Sequence, residues 1–394
     1  MRKTRLLQQA SVLMLLLFII ATSNAATPSV SKIEQKGKVT VLTVSSTNLQ
    51  PQVALINFAG AHTMKMPEPL NMVPEPSDIS RNAKQAFKGT PGFSAGKAGS
   101  GQENPMSIPL SNSIDVNDGI STQEYGSFNH PFTTSRVEAK KGRTSKEYPF
   151  SASGKLYFNI GTSTFVCSAS LIKPGIIVTA AHCVAGYGTS AFYRNWVYVP
   201  ALTDRFTPNA PYGIYGVTGA AVMTSWINGT DGCNVVCPND VAVLVAAPLN
   251  GKYPGARTGF LAYGWNNFGF TSFAGLNATE ITQLGYPVGL SKGLNMMRTD
   301  SLGYTITDAE WFNNIQIGSR MTGGSSGGPW IINFGIDPIA TPNVPGLGAK
   351  KNVVVAVTSW GYVSPNPKVQ GASPFTSGNI VPLVNTFCPS PACP

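Results

Sequence analysis

Short apolar segments separated by Gly, Pro and Asn turns run through the chain after about residue 145. Short segments rich in Val, Ile, Tyr and Phe are typical of β-strands, and they do not alternate with helical patterns as a parallel sheet requires. This pattern predicts an all-β region, and roughly 250 residues of such strands suit antiparallel barrels or a sandwich. The predicted strands are 155–160, 166–172, 176–180, 196–199, 241–245, 258–264, 330–333 and 353–358.

A helical pattern occurs near the end of the chain. Ile380–Phe387 follows Ser377-Gly378-Asn379, and asparagine is a favoured helix cap. We therefore predict a short C-terminal helix over Ile380–Phe387.

The first 25 residues have the pattern of an export signal. Basic Met1–Arg5 precedes apolar Val12–Ile20, and Ser23–Ala25 supplies small residues for cleavage. The apolar stretch is short for a membrane span, which needs about 20 residues, and a retained anchor is the alternative. We predict a signal peptide at 1–25 and a secreted protein, extracellular or periplasmic if the source has an outer membrane, with no membrane association afterwards.

Residues 26–143 have a weaker pattern. Val39–Val44 alternates as a strand does, and Val53–Phe58 is a second candidate strand. The glycine-, serine- and lysine-rich segment Lys88–Gly101 has no sustained periodicity.

A charged strip, Lys140–Lys146, ends this stretch, and proteolytic nicking concentrates in such exposed segments. We predict that residues 26–143 are a propeptide removed near Lys141 or Arg143, and that 144–394 is the main domain. A permanent N-terminal extension is the alternative.

The composition supports a packed, exported protein. Hydrophobic residues make up 42% and charged residues 12%, which favours a sizeable core over disorder. The net charge of +10 is not gathered in a dense basic run, so we predict no nucleic-acid partner. We also expect a monomer.

The six cysteines all lie after residue 160. An even number in an exported protein favours disulfides over free thiols. A zinc site is not predicted, because no second close cysteine pair accompanies Cys233 and Cys237. Pairing of near neighbours predicts the bonds Cys167–Cys183, Cys233–Cys237 and Cys388–Cys393.

Candidate chemistry begins at Thr322–Trp330, where a glycine-rich turn passes into an apolar strand. Glycines let the backbone take φ > 0 and approach a ligand closely, so the turn can expose the Ser326 hydroxyl beside backbone N–H groups. Such a nucleophile needs a base that is neutral near pH 7, which imidazole provides. His182 is the only histidine after residue 130, and it directly follows the apolar strand at 176–180.

A third group must orient the imidazole, and a carboxylate suits that role. Eight acidic residues follow position 147, and Asp240 heads the apolar run Val241–Val245, where an unpaired charge is costly. Asp231 lies in a turn and Asp204 is beside Arg205, so both have surface explanations.

Three segments in this order, Thr179–Cys183 (TAAHC), Asn239–Leu244 (NDVAVL) and Gly324–Pro329 (GSSGGP), resemble the signatures of chymotrypsin/trypsin-like serine peptidases. The resemblance covers about 150–390. It implies two six-stranded antiparallel β-barrels with the active site in the cleft between them.

The same resemblance implies catalytic roles for His182, Asp240 and Ser326, with the N–H groups of Gly324 and Ser326 as the oxyanion hole. It makes Cys167–Cys183 the disulfide that braces the histidine loop. Ser359-Trp360-Gly361 resembles the edge segment that pairs with the substrate backbone.

The chain also departs from the digestive enzymes of this family. They carry an aspartate at the position of Ser325, which pairs with a new N-terminal amine on activation, so that switch is not carried over. Gly323-Gly324 and Gly285–Pro287 look more like the bacterial glutamyl-endopeptidase branch. That branch reads acidic side chains partly through a histidine where this chain has Thr358, so glutamate specificity is not carried over either.

Arg320, six residues before Ser326, is near where the family's specificity pocket begins. Pointing inward it would favour an acidic substrate side chain, and pointing outward it is a solvated arginine; both interpretations stay open. The predicted substrate-binding residues are Arg320, Thr358, Ser359, Trp360 and Gly361.

The sequence thus predicts a secreted serine endopeptidase that hydrolyses polypeptides through an acyl-enzyme, without a metal or cofactor. A non-catalytic binding module that kept the fold is the alternative. An esterase on an α/β-hydrolase fold would place its histidine last in the chain, which is not the order here.

Overall fold

The computed structural model describes residues 30–45, 50–68, 89–110, 130–138, 143–205, 207–232, 238–273, 276–306, 314–341, 344–345, 348–361 and 368–388. The predicted signal peptide and the predicted cleavage residue Lys141 lie outside these ranges. Within the described part of the chain, no helix has the length and apolar content needed to cross a bilayer.

Short strands dominate the secondary structure, as the sequence predicts. The N-terminal region contains β1 Val30–Lys36, β2 Val39–Ser45, α1 Gln50–Ala54, β3 His62–Thr63, β4 Gly92–Ser94 and β5 Phe132–Arg136. The next group contains β6 Ser153–Ile160, β7 Ser163–Leu171, β8 Ile176–Thr179, β9 Arg194–Pro200, β10 Tyr215–Met223, α2 Thr224–Asn228, β11 Ala242–Ala246 and α3 Pro254–Thr258. The last group contains β12 Ala262–Trp265, β13 Thr271–Phe273, β14 Leu276–Gly285, β15 Met297–Ile306, β16 Asn314–Gly318, β17 Pro329–Ile332, β18 Ile339–Thr341, β19 Val344–Pro345, β20 Val353–Gly361, β21 Val369–Pro374 and α4 Ile380–Phe387.

Strands β6–β11 form the first barrel. They are hydrogen-bonded in the order β10-β11-β8-β7-β6-β9, and the ring closes where Tyr215 of β10 lies opposite Tyr198 of β9. The second barrel follows the order β14-β15-β16-β21-β20-β17, and β17 closes it by pairing with β14. Both rings have six antiparallel strands, which confirms the predicted architecture.

Helix α4 confirms the predicted C-terminal helix at the same residues, and the Asn379 side chain accepts a hydrogen bond from the N–H of Ile380. One predicted strand is wrong, and a second is wrong in part. Val53–Phe58 is not a strand: its apolar Val53 and Ile56 are three positions apart and pack on the core from helix α1 and the turn after it. The predicted strand 258–264 begins only at Ala262.

The late start of that strand has a local cause. Pro254 occupies the first turn of α3, where its missing N–H is not needed. The helix then ends at Gly259, whose φ of +78° favours glycine. Residues 254–259 therefore form a helix and its cap, and the strand begins only after them.

The described parts of the N-terminal region lie along both barrels. Strand β2 pairs with β10 and carries β1 as the outer strand of a hairpin. Strand β3 pairs with β7, β4 with β12 and β5 with β15. Val39 and Val41 join the same core as the first barrel, so this region extends existing sheets.

Lys155 of β6 is a buried lysine between the two barrels. Its Nζ donates a 2.7 Å hydrogen bond to the carbonyl of Gly293, and no carboxylate of the described chain pairs with it. Burial lowers the pKa of Lys155 from its ordinary 10.5 to about 7. Removing a charge from water without a counterion is unfavourable, so the folded state favours the neutral amine.

We expect Lys155→Met to raise the free energy of unfolding at pH 6 by about 1–4 kcal/mol, because it removes a buried unpaired charge. In the parent, the unfolded chain keeps the lysine proton up to about pH 10.5 whereas the folded chain releases it near 7, so stability rises with pH across this interval. Urea unfolding from pH 6 to 10 should show that rise in the parent and lose it in the variant. Exposed Lys252→Met is the control, and an unchanged pH profile in Lys155→Met would contradict the prediction.

Candidate active site

His182 lies in a tight turn at the end of β8. The strand ends at Thr179, and Ala181–Cys183 forms one turn of 3₁₀ helix that buries the imidazole. A disulfide between Cys167 and Cys183 joins this turn to β7, as the sequence predicts. The two sulfurs lie close to the His182 ring, but a disulfide offers no thiolate to a metal ion.

Strand pairing brings Asp240 to this histidine. Ala242 of β11 lies opposite Thr179 of β8, so the residues just before β11 meet the turn just after β8. Asp240 Oδ2 is 2.7 Å from His182 Nδ1, and its Oδ1 accepts a 2.8 Å hydrogen bond from the His182 N–H. A carboxylate oxygen accepts, so Nδ1 donates and Nε2 is left as the basic nitrogen.

The Asp240 carboxylate is fully buried, and a residue of the second barrel also satisfies it. Ser359 Oγ donates a 2.6 Å hydrogen bond to Oδ2. Sequence reasoning assigned Ser359 only to the substrate edge and missed this contact. The rival carboxylates lie elsewhere: Asp231 accepts from Asn239, and Asp204 is 3.6 Å from Arg205 at the surface.

The turn that carries Ser326 packs against the end of β8. The Ser326 carbonyl accepts a 2.7 Å hydrogen bond from the N–H of Ser168. At Gly327, φ is +76° and an added Cβ would lie 2.0 Å from Thr179 Oγ1, so only glycine fits. This contact holds Ser326 beside the turn that contains His182.

Ser326 Oγ and His182 Nε2 are both buried, and neither has a hydrogen-bond partner among the described residues. Buried polar atoms without a partner are rare, because each loses its hydrogen bonds to water. Two such atoms on neighbouring turns are the hydroxyl and the base that a nucleophilic mechanism needs.

The backbone before Ser326 presents two N–H groups. Gly324 has φ of +93°, and an added Cβ would lie 2.6 Å from the carbonyl of Tyr286. Ser168 Oγ donates a 2.8 Å hydrogen bond to the Gly324 carbonyl, which fixes the orientation of this turn. Within the described chain no acceptor binds the N–H of Gly324 or Ser326. These N–H groups are therefore available to an oxygen of a bound ligand.

Ser325 is held by neutral groups. Its buried Oγ donates a 2.8 Å hydrogen bond to the carbonyl of Thr322 and accepts a 3.3 Å bond from Gln370 Nε2. Neutral hydrogen bonds therefore hold the Ser325 side chain, and the described residues form no ion pair there.

Thr358, predicted to bind substrate, lies in a buried polar network. Its Oγ1 accepts 2.9 Å hydrogen bonds from Gln283 Nε2 and Trp330 Nε1. Gln283 Nε2 also donates to Gln370 Oε1 at 2.6 Å, and Ser319 Oγ donates to Gln283 Oε1 at 2.8 Å. The network contains no ionisable group. Sequence reasoning missed both glutamines, because neither lies in a recognisable motif.

The other predicted substrate-binding residues lie around this network. Arg320 directly follows Ser319 and is half-buried. Trp360 and Gly361 end β20, and both are buried. Of the other predicted disulfides, Cys388 is bonded to a cysteine outside the described residues, and Cys233, Cys237 and Cys393 also lie outside them.

Known proteins are similar to this chain in sequence and structure. The family model described as Trypsin matches residues 139–379, which is more than half of the chain. A comparison with the curated proteins found no match.

Solved structures of peptidases resemble the chain. Protease Anisep from Arthrobacter nicotinovorans has 26% identity and a TM-score of 0.46, covering 61% of this chain and 96% of that chain. The thermostable serine protease AL20 from an extremophilic microorganism has 23% identity and a TM-score of 0.43, covering 58% and 93%. A Glu endopeptidase has 18% identity and a TM-score of 0.44, covering 64% and 95%.

We expect Ser325→Ala to lower the melting temperature by several degrees, because the Ser325 hydroxyl loses its hydrogen bonds to the Thr322 carbonyl and Gln370 Nε2, each worth about 0.5–1.5 kcal/mol. Differential scanning calorimetry measures this loss. Ser272→Ala, at an exposed position of β13, is the control. A melting temperature equal to that of the parent would show that the Ser325 hydroxyl does not order the turn.

Proposed function

The chain belongs to the trypsin family, and on that premise we propose that it is a secreted serine endopeptidase with His182, Asp240 and Ser326 as its catalytic triad. The observation that carries the proposal is the hydrogen-bonded Asp240–His182 pair beside the unpartnered Ser326 hydroxyl. Family membership implies polypeptide substrates. The basic and apolar segments at 1–25 and the disulfide Cys167–Cys183 support export.

In the proposed reaction, His182 Nε2 removes the proton from Ser326 as its Oγ attacks a peptide carbonyl. Asp240 keeps the Nδ1 proton in place and stabilises the imidazolium that forms. The tetrahedral oxyanion accepts hydrogen bonds from the N–H groups of Gly324 and Ser326, and one such donor typically contributes about 3 kcal/mol. His182 then gives the proton to the leaving amine, and water releases the acyl-enzyme by the reverse path.

Substrate binding uses the edge of the second barrel. Ser359, Trp360 and Gly361 end β20, and an extended peptide can add there as a further strand. The side chain before the scissile bond would enter the space next to Thr358 and Arg320. No charge selectivity is proposed, because Thr358 lies in a neutral network.

The processing of the chain belongs to the same proposal. Residues 26–143 are a propeptide or N-terminal extension, and residues 144–394 are the peptidase domain. The chain is made as a zymogen, and the active enzyme is a monomer. A non-catalytic binding module is less favoured, because both the candidate base and the candidate nucleophile are kept without a partner.

We expect Ser326→Ala to lower casein hydrolysis by the processed protein at least about 10⁴-fold, because the acyl-enzyme can no longer form. A fluorophosphonate probe, which reacts covalently with activated serines, should label the parent and not the variant. The control is Ser272→Ala. Casein cleavage by Ser326→Ala at the parental rate would refute the triad, and an unlabelled, inactive parent would favour the binding module.

Asp240→Asn should lower kcat by about 10⁴-fold, the loss known for the equivalent exchange in a serine peptidase triad. The amide Nδ2 can donate to His182 Nδ1, which moves the ring proton to Nε2 and removes the base. The loss should fall on kcat and leave KM for a peptide substrate nearly unchanged, since Asp240 is buried behind His182. A variant with parental kcat would exclude Asp240 from the triad.

A further inference from the structure

Residues 62–67 of the N-terminal region cross the cleft between the barrels. At one end, His62 lies opposite Phe165 and Thr63 opposite Val166, in a short parallel pairing of β3 with β7. The N–H of Met64 donates a 3.3 Å hydrogen bond to the carbonyl of Val166. This end is next to Cys167, whose disulfide holds the His182 turn.

At the other end the segment pairs with the predicted substrate edge. The N–H of Gly361 donates a 3.1 Å hydrogen bond to the carbonyl of Pro67. An added Cβ on Gly361 would lie 2.7 Å from Met66 Sδ. The segment therefore occupies the edge of β20 where an extended substrate would add its strand.

Between these ends the segment touches the nucleophile loop. An added Cβ on Gly323 would lie 2.7 Å from Thr63 Cγ2 and 3.0 Å from the carbonyl of Met64. Gly323 directly precedes the proposed oxyanion donor Gly324. The segment thus contacts the first barrel, the Ser326 turn and the second barrel in succession.

Met66 fills the space behind Gly361. It is the one buried side chain between Ala61 and Glu68, with 6% of its surface exposed. Gln370 Nε2 lies 3.2 Å from Met66 Sδ and also donates to the carbonyl of Met321 and to Ser325 Oγ. Met66 therefore lies in a pocket bounded by Gly361 and Gln370, and Gln370 connects this pocket to Ser325 beside the nucleophile.

The direction of the segment is opposite to that of a substrate. In the proposed reaction the leaving amine is next to His182, which is on the first barrel, and the acyl part is over the second barrel. A substrate must therefore run from Gly361 towards Val166. Residues 62–67 run from Val166 towards Gly361, so the segment lies in the cleft with the opposite polarity.

We propose that residues 62–67 are a built-in inhibitor that closes the substrate cleft of the uncut chain in the reverse direction, with Met66 in the side-chain pocket against Gln370. This inference rests on the proposed peptidase function and adds its regulation. The segment lies within residues 26–143, so its removal with that stretch would open the cleft. Pro67 favours an extended conformation at Met66, which suits a strand laid along β20.

The test uses the full-length secreted chain and follows fluorophosphonate labelling of the intact, uncut band. Met66→Asp places a carboxylate in a buried neutral pocket, and Met66→Ala empties the pocket. We expect labelling of the uncut chain to accelerate at least about tenfold in Met66→Asp, and to a smaller extent in Met66→Ala, because the buried thioether contacts are lost. Lys65→Ala, at the exposed neighbour, should label at the parental rate.

After processing, the parent and all three variants should label at one common, faster rate. If uncut Met66→Asp labels as slowly as the uncut parent, the inhibitor proposal is wrong while the peptidase proposal stands. If the processed parent does not label, the peptidase proposal fails and the inhibitor proposal fails with it. Equal labelling rates for uncut and processed parent would also overturn it.

A second measurement does not depend on folding of the variants. A synthetic peptide of residues 61–68 should slow fluorophosphonate labelling of the processed parent, as a competing peptide substrate does. The M66D peptide should need an at least about tenfold higher concentration for the same effect. Equal potency of the two peptides would show that the Met66 side chain does not contribute to binding in the pocket.

Discussion

The fully buried carboxylate of Asp240 is the interaction on which the two-barrel arrangement depends. A buried charge destabilises a fold unless donors surround it. Here the donors are the backbone and side chain of His182, from the first barrel, and the hydroxyl of Ser359, from the second. Moving the barrels apart would remove the Ser359 hydrogen bond and leave the carboxylate partly unsatisfied, so the group that orients the imidazole also links the two barrels.

The loop opposite this carboxylate is ordered by sterics and neutral hydrogen bonds. Gly327 fits against Thr179 because it has no Cβ. Ser168 Oγ donates a hydrogen bond to the carbonyl of Gly324 and accepts one from the N–H of Tyr286. Ser325 and Gln370 complete the support without an ion pair. In this chain the geometry around Ser326 therefore depends on contacts from both barrels, whereas under the proposed inhibition access to Ser326 depends on the N-terminal region.

The parts of this structure that follow from local sequence were predictable. Helix α4 was, because its apolar positions and Asn379 cap are adjacent, and so was the neighbourhood of His182, because the strand, histidine and cysteine are consecutive. Strands β14 and β15 were missed since their polar residues conceal the pattern; they pair with each other, and β15 also pairs with the distant β5. The contact of Met66 with Gln370 joins residues 304 positions apart, and no motif contains either.

The hairpin of β1 and β2 gives the N-terminal region a hold on the first barrel that is independent of the cleft. Seven residue pairs join β1 to β2, and β2 continues along β10, while β5 is joined to β15 on the other barrel. One cut near Arg143 would leave all of these ladders in place. Activation would then need two steps, cleavage of the chain and dissociation of the N-terminal region, and the second step would require the strand pairs on the outside of the molecule to break.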